Sequence, residues 1–106
     1  MEEINTMEEY KNLINQEKPI LLDFYADWCN PCKILIPTVE KLSSEYEGTV
    51  EIRKVNVDQN KELAQAFGVR SIPTLFFIKD RKVKDSLRGI VPENKIKELL
   101  DSLIFN

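Results

Sequence analysis

One apolar stretch limits the fold of this chain more than any other feature. Residues 20–26 read Ile-Leu-Leu-Asp-Phe-Tyr-Ala and are apolar except for Asp23 and the tyrosine hydroxyl. A strand with apolar side chains on both of its faces is typical of the centre of a sheet that is covered on both sides. The sequence therefore predicts an α/β fold in which a carboxyl group lies inside the central strand.

The rest of the chain supplies strands and helices in an order that suits such a sheet. The first part alternates strand with helix, which implies parallel pairing through right-handed crossovers. The last two strands are joined tightly and must be antiparallel. We expect one domain over residues 1–106, with a central mixed sheet in the order βαβαβαββα and helices on both faces. Strands are expected near Ile4 and at 20–26, 50–57 (with a break after Ile52), 74–78 and 83–87, and helices from about Thr6, Pro31, Asp58 and Pro92.

Local signals mark several ends of these elements. Thr6 and Glu9 have the spacing of a capping box at the start of the first helix. Asp58 is the expected N-cap of the third helix, and Gly68 is placed to end it in the left-handed conformation. Asp80 and Arg81 are the expected tip of the last hairpin.

Composition excludes several classes of protein. The net charge of −3, without a basic stripe, argues against a nucleic-acid partner. No apolar run approaches the roughly 18 residues of a membrane helix, so we expect no membrane insertion. The acidic opening Met1-Glu2-Glu3 is unlike a secretory signal and favours the cytoplasm, although a mature, processed protein would look similar.

The two cysteines of the chain lie where the central strand gives way to the second helix, within Trp28-Cys29-Asn30-Pro31-Cys32. Pro31 suits a first helical position. Unpaired N–H groups there favour an anion, so we expect Cys29 to be the exposed nucleophile and Cys32, one turn later, to be the buried resolving thiol. A structural disulfide or half of a zinc site are the alternatives. Zinc usually takes four ligands and the chain has no histidine, so we expect no metal and no cofactor, although two chains could share a site.

Asp23 is the second candidate for chemistry. A carboxyl group in an apolar strand is costly unless it has a partner, and burial raises its pKa. The alternative is an edge position with the side chain in solvent. Lys54 could lie on the neighbouring strand and tune Asp23, or be a solvated strand charge.

Several segments, in order and at matching spacing, resemble the thioredoxin family over nearly the whole chain. Asp23 to Lys33 is similar to the active-site segment, 54–58 to the third strand and 69–74 to the cis-proline loop of that family. Pro37 and Gly89 match its helix-kinking proline and a later glycine. Asn30 departs from the family, which usually has glycine at this position. The hairpin Asp80-Arg81 lacks the glycine that is common there, and the first strand looks short.

The resemblance implies the thioredoxin fold and roles for residues around the cysteines. Asp23 would accept a proton from Cys32 through water. From its place next to the loop, Trp28 is expected to pack beside Cys29 and cover part of the site; an ordinary core position is the alternative. Pro73 would form a cis bond facing the sulfurs, with Ile72 offering backbone groups to a client; a trans proline starting a strand is the alternative. Gly89 would line the client groove or merely mark a bend.

The resemblance also implies an activity and its partners. We expect a thiol-disulfide oxidoreductase that reduces disulfides in client proteins and is itself reduced by a thioredoxin reductase, acting as a monomer. The alternatives are a carrier dedicated to one reductase or client, with Asn30 as the hint, and a redox-silent binding module. An oxidant or isomerase outside the cytoplasm is a further alternative.

Overall fold

The elements follow one another in the predicted order in a computed structural model, which describes residues 1–105 of the chain. They are β1 (Glu2–Ile4), α1 (Met7–Ile14), β2 (Ile20–Tyr25), α2 (Asn30–Glu45), β3 (Glu51–Asn56), α3 (Lys61–Ala66), β4 (Thr74–Lys79), β5 (Lys82–Arg88) and α4 (Glu93–Phe105).

The strands form one mixed sheet with the spatial order β1-β3-β2-β4-β5. β3 pairs in parallel with β1 and β2, whereas β4 pairs antiparallel with β2 and β5. β2 lies at the centre, and all six of its residues are buried. The mixed sheet and the central position of the apolar stretch are thus confirmed.

Helices cover both faces of the sheet, as the apolar pattern predicts. α2 and α4 pack on one face through Leu35, Val39, Ile96 and Leu100, against Leu21 and other sheet residues. α1 and α3 pack on the other face, where their side chains contact alternate residues of the same strands. The buried members of this second cluster are Ile4, Ile20, Leu22, Phe24, Val55, Leu63 and Ile78.

The capping box at the start of α1 is confirmed, with one change in its partners. The Thr6 hydroxyl accepts a hydrogen bond from the Glu9 N–H at 3.0 Å. The Glu9 carboxylate, however, accepts from the N–H of Asn5 at 2.7 Å rather than from that of Thr6.

The predicted turns are also confirmed. Gly68 follows α3 with φ +66°, the left-handed conformation that ends many helices. Asp80 and Arg81 connect β4 to β5 and both have positive φ, as a two-residue hairpin turn requires.

The prediction of Asp58 as the N-cap of α3 is wrong, because Asn60 takes that position. The side-chain oxygen of Asn56 accepts from the N–H groups of Asp58 and Gln59, at 2.9 and 3.3 Å, which turns the chain before the helix can begin. The expected break in β3 is also wrong. Arg53 and Lys54 continue the strand because each pairs with residues of both neighbouring strands.

The packing of α2 leads to a direct test. Leu35 is buried beneath the helix, whereas its neighbour Ile34 is 60% exposed. We expect Leu35→Ala to lower the free energy of unfolding by about 2 to 5 kcal/mol, because it leaves a cavity in the core. Ile34→Ala should change it by less than about 0.5 kcal/mol. Urea unfolding measures both values, and equal losses would contradict this account of α2.

Candidate redox site

The two cysteines lie at the junction that carries the chain from β2 into α2. Cys29 is the N-cap residue of α2, with extended backbone angles. Its sulfur accepts a hydrogen bond from the N–H of Cys32 at 3.2 Å. The first N–H groups of a helix have no partner within the helix, so a cap atom at this position gains both the hydrogen bond and the favourable end of the helix dipole. A negative charge on the Cys29 sulfur would be stabilised in the same way.

Cys29 and Cys32 are joined as a disulfide, and their Cα atoms are 5.3 Å apart. Cys29 is 4% exposed and Cys32 is 1% exposed. The expectation that Cys29 is exposed is therefore wrong for this disulfide form. The cause is close packing: both cysteines form a buried cluster with Tyr25 and Ala26, and Ile72 packs against it.

The loop before β4 closes one side of the disulfide. The Ile72–Pro73 peptide bond is cis, as predicted. The Ile72 carbonyl oxygen lies 3.9 Å from the Cys29 sulfur, so the backbone of this loop directly borders that sulfur. The N–H of Gly89 donates to the Pro73 carbonyl at 2.9 Å, which places the end of β5 beside the same loop.

Trp28 lies on the surface next to the disulfide and is 69% exposed, which excludes an ordinary core position. Its indole N–H donates to the Asp58 carboxylate at 2.8 Å. This bond spans the site and gives Asp58 a function that sequence reasoning missed, since no local pattern indicates a partner 30 residues away. Together with Val57, Ala64, Val69, Arg70, Ser71 and Ile72, Trp28 lines a cavity of about 210 Å³.

Asp23 is buried in the centre of the sheet, so the alternative of a solvated edge position is wrong. It is 1% exposed, and neither of its carboxyl oxygens has a hydrogen-bond partner among the described residues. Side chains alternate along a strand, so Asp23 lies on the same face as Leu21, the face that α2 covers and that Cys32 joins. Burial raises the pKa of Asp23 to about 7, against a smaller lowering by the Lys54 charge.

Lys54 lies beside Asp23 in the pairing of β2 with β3, as the sequence suggested. It is half-buried, and its ammonium nitrogen lies 5.5 Å from the centroid of the Tyr25 ring. The Tyr25 hydroxyl donates a hydrogen bond to the Glu3 carboxylate. Sequence reasoning missed Glu3, because only the pairing of β1 with β3 brings it to this place.

The remaining predicted residues lie around the same junction. Asn30 and Pro31 are exposed in the first turn of α2, and Gly89 is half-buried at the end of β5. Among residues 1–105, no group of three or more histidine, cysteine, aspartate or glutamate side chains could hold a metal ion. No helix in this described part is long and apolar enough to cross a membrane.

A disulfide that caps a helix, beside a cis-proline loop and above a buried acid, defines a class of protein: the thiol-disulfide oxidoreductases. The family model described as Thioredoxin matches residues 2–102. The chain therefore belongs to the thioredoxin family.

Individual relatives agree with this assignment. The chain is 44% identical over 92 residues to a thioredoxin of Chlorobaculum thiosulfatiphilum, a match that covers 87% of this chain and 85% of the relative. It is 41% identical over 101 residues to a thioredoxin of Haemophilus influenzae, covering 95% and 94%. The X-ray structure of Fasciola hepatica thioredoxin superposes with a TM-score of 0.90 at 39% identity, covering 97% of this chain and 99% of that one. The protein is thus a protein-disulfide oxidoreductase with Cys29 and Cys32 as its redox pair.

The burial of Asp23 predicts how stability depends on pH. Between about pH 4 and pH 7 the unfolded chain loses the Asp23 proton while the folded protein keeps it, so Asp23 costs stability as the pH rises through this range. Asp23→Asn removes this cost. Relative to the natural protein, the free energy of unfolding of the variant should rise by as much as about 4 kcal/mol between pH 4 and pH 8.

Urea unfolding at the two pH values measures this difference, in which any effect of the amide that does not depend on pH cancels. The exposed Asp27 provides the control, and Asp27→Asn should change the difference by less than about 0.5 kcal/mol. If Asp23→Asn changes the free energy of unfolding by the same amount at pH 4 and pH 8, the burial of this carboxyl group does not control the pH dependence.

Proposed function

We propose that this protein is a general dithiol reductant, in which Cys29 attacks disulfides of client proteins and Cys32 resolves the complex. The observation that carries the proposal is the position of Cys29 as the cap of α2, where its sulfur accepts the Cys32 N–H. Disulfide exchange requires a thiolate, access to it and a second thiol within reach. The helix start favours the thiolate, and the neighbouring turn of α2 supplies the second thiol.

The cycle consists of two exchanges. The Cys29 thiolate attacks one sulfur of a client disulfide, forming a mixed disulfide and releasing the other client sulfur as a thiolate. The Cys32 thiolate then attacks the Cys29 sulfur, which forms the Cys29–Cys32 disulfide and releases the second client sulfur. The client gains two electrons and the protein loses two.

Asp23 is the proposed acceptor of the Cys32 proton. Cys32 is a thiol in a buried place, and it becomes a nucleophile only when it loses its proton. A carboxyl group with a pKa of about 7 can take up and return a proton near neutral pH, which an ordinary aspartate does poorly. Transfer through a water molecule fits a carboxyl group that has no hydrogen-bond partner in the described part of the chain.

The client would bind along the cis-proline loop. The exposed Trp28 and the half-buried Ile72 border Cys29, Gly89 bonds the same loop at Pro73, and the Ile72 backbone could pair with an extended client segment. Asn30 is exposed next to Cys29 and is the residue through which this site would differ from the glycine-containing members of the family.

We further propose that the protein works as a monomer in the cytoplasm, where it supports electron transport and redox homeostasis, and that a thioredoxin reductase restores its dithiol. A protein that donates electrons to disulfides needs a compartment that maintains thiols in the reduced state. The bacterial relatives that carry the name thioredoxin favour this placement. The second candidate function is an electron carrier that serves only one client or one reductase.

Serine variants of the two cysteines test their separate roles. Cys29→Ser should reduce insulin no faster than dithiothreitol alone, because the attacking thiolate is missing. Cys32→Ser should accumulate a stable mixed disulfide with insulin, visible by mass spectrometry, since Cys29 can attack but nothing resolves the complex. Full turnover by Cys29→Ser would remove Cys29 as the attacking residue. An adduct found with Cys29→Ser instead of Cys32→Ser would reverse the two roles.

The role of Asp23 has its own test. Asp23→Asn should slow resolution of a preformed mixed disulfide by up to about 100-fold near neutral pH, the lower end of what a positioned proton acceptor contributes. The rate should also lack the step near pH 7 that we expect of the natural protein. Stopped-flow measurement from pH 5 to pH 9 reports both effects. An unaltered pH profile would remove Asp23 from the mechanism.

A further inference from the structure

A row of paired residues crosses the sheet at the level of the buried acid. Glu3 of β1 is opposite Lys54 of β3, which is opposite Asp23 of β2, which is opposite Leu75 of β4. Residues that are directly opposite in neighbouring strands direct their side chains to the same face. Lys54 therefore has one carboxyl group on each side and could serve as counter-ion to either.

Tyr25 interacts with two members of this row. Its hydroxyl donates to the Glu3 carboxylate, and its ring lies 5.5 Å from the Lys54 ammonium nitrogen. Burial and the hydrogen bond to Glu3 raise the pKa of Tyr25, so that the hydroxyl keeps its proton at every working pH. The hydroxyl is therefore a permanent donor to Glu3.

Lys54 does not form an ion pair with Glu3 in this arrangement. Within residues 1–105, no carboxylate oxygen lies within 4.0 Å of the Lys54 ammonium, although Glu3 is its direct neighbour in the sheet. The Tyr25 ring offers the ammonium a cation–π contact instead. Lys54 is also the cation that lowers the pKa of Asp23.

We propose that Tyr25 is a positioning residue for proton transfer. Its hydroxyl donates a hydrogen bond to the Glu3 carboxylate. Lys54 therefore stays the counter-ion of Asp23 and does not pair with Glu3. This proposal rests on the proposed function, since it concerns the acid that receives the Cys32 proton. Tyr25 packs in the buried cluster with both cysteines, but in this role it acts through Glu3 and Lys54.

The other groups that we find around Asp23 and Tyr25 are apolar, neutral or negative, so they cannot replace Lys54 as counter-ion of Asp23. β4 and β5 continue the row with the apolar Leu75 and Leu87. α2 contributes Cys32, which does not titrate as a disulfide. The loop after β2 adds the negative charge of Asp27 near Tyr25, and β3 adds the neutral Asn56.

The test is a titration of the Asp23 carboxyl carbon by NMR in the disulfide form, in which neither cysteine titrates. We expect Tyr25→Phe to raise the Asp23 midpoint by about 0.5 to 1 pH unit, because the released Glu3 competes for Lys54. Glu3→Gln removes the competitor and should not raise the midpoint. The double variant should return to within about 0.3 pH unit of the natural protein, since Glu3 is required for the effect.

Tyr46→Phe provides the matched control. Tyr46 also donates its hydroxyl to a carboxylate, that of Asp101 at 2.7 Å, but this pair joins α2 to α4 away from the row. Tyr46→Phe should leave the Asp23 midpoint unchanged.

Three results would overturn the inference: no shift in Tyr25→Phe, an equal upward shift in Tyr25→Phe and in the double variant, or an upward shift in Glu3→Gln. The titration measures protonation and not turnover, so it does not depend on whether Asp23 takes part in exchange. If the stopped-flow profile of Asp23→Asn is unaltered, the proposed function of Asp23 fails, whatever the titrations give. If that profile changes and the Tyr25→Phe midpoint does not, the inference alone fails.

Discussion

Burial of β2 on both faces is the constraint on which the rest of this structure depends. A strand between two other strands and two layers of helix exposes little of its side chains, and β2 is buried along its whole length. The chain leaves this strand at its carboxyl end, where a short loop connects β2 to α2. Cys29 lies at that point, so the same packing that forms the core also places the sulfur at the start of a helix.

The same burial affects both the stability of the folded protein and the proton exchange that we propose for Asp23. The Asp23 carboxyl group has no hydrogen-bond partner among the described residues, so it destabilises the folded protein when it is charged. That penalty is also what brings its pKa to about 7, where a group can exchange protons under physiological conditions. Stability and the proton transfer that we propose are therefore opposed at this residue, and the Lys54 charge lowers the pKa of Asp23 only in part.

The sequence was sufficient for the element order and the central strand, but local pattern misplaced the cap of α3 and a break in β3, and the exposure expected of Cys29 was wrong. The apolar stretch predicted the central strand, the buried acid and the helices on both faces, and the Cys-x-x-Cys spacing predicted the redox pair. Two hydrogen bonds between distant segments were missed. Asp58 looks like a helix cap in the sequence, but it bonds the Trp28 indole while Asn60 caps α3. Glu3 reaches Tyr25 only because β1 pairs with β3, and no periodicity encodes that register.

The central claim is that this pair of sulfurs gives electrons to other disulfides. The equilibrium of the pair with glutathione tests it most directly, with the fraction of disulfide measured after acid quenching across a series of ratios of reduced to oxidised glutathione. The account predicts that the Cys29–Cys32 disulfide stays largely intact while most of the glutathione is reduced. Complete reduction of the disulfide under mildly reducing ratios would contradict the account and identify an oxidant instead.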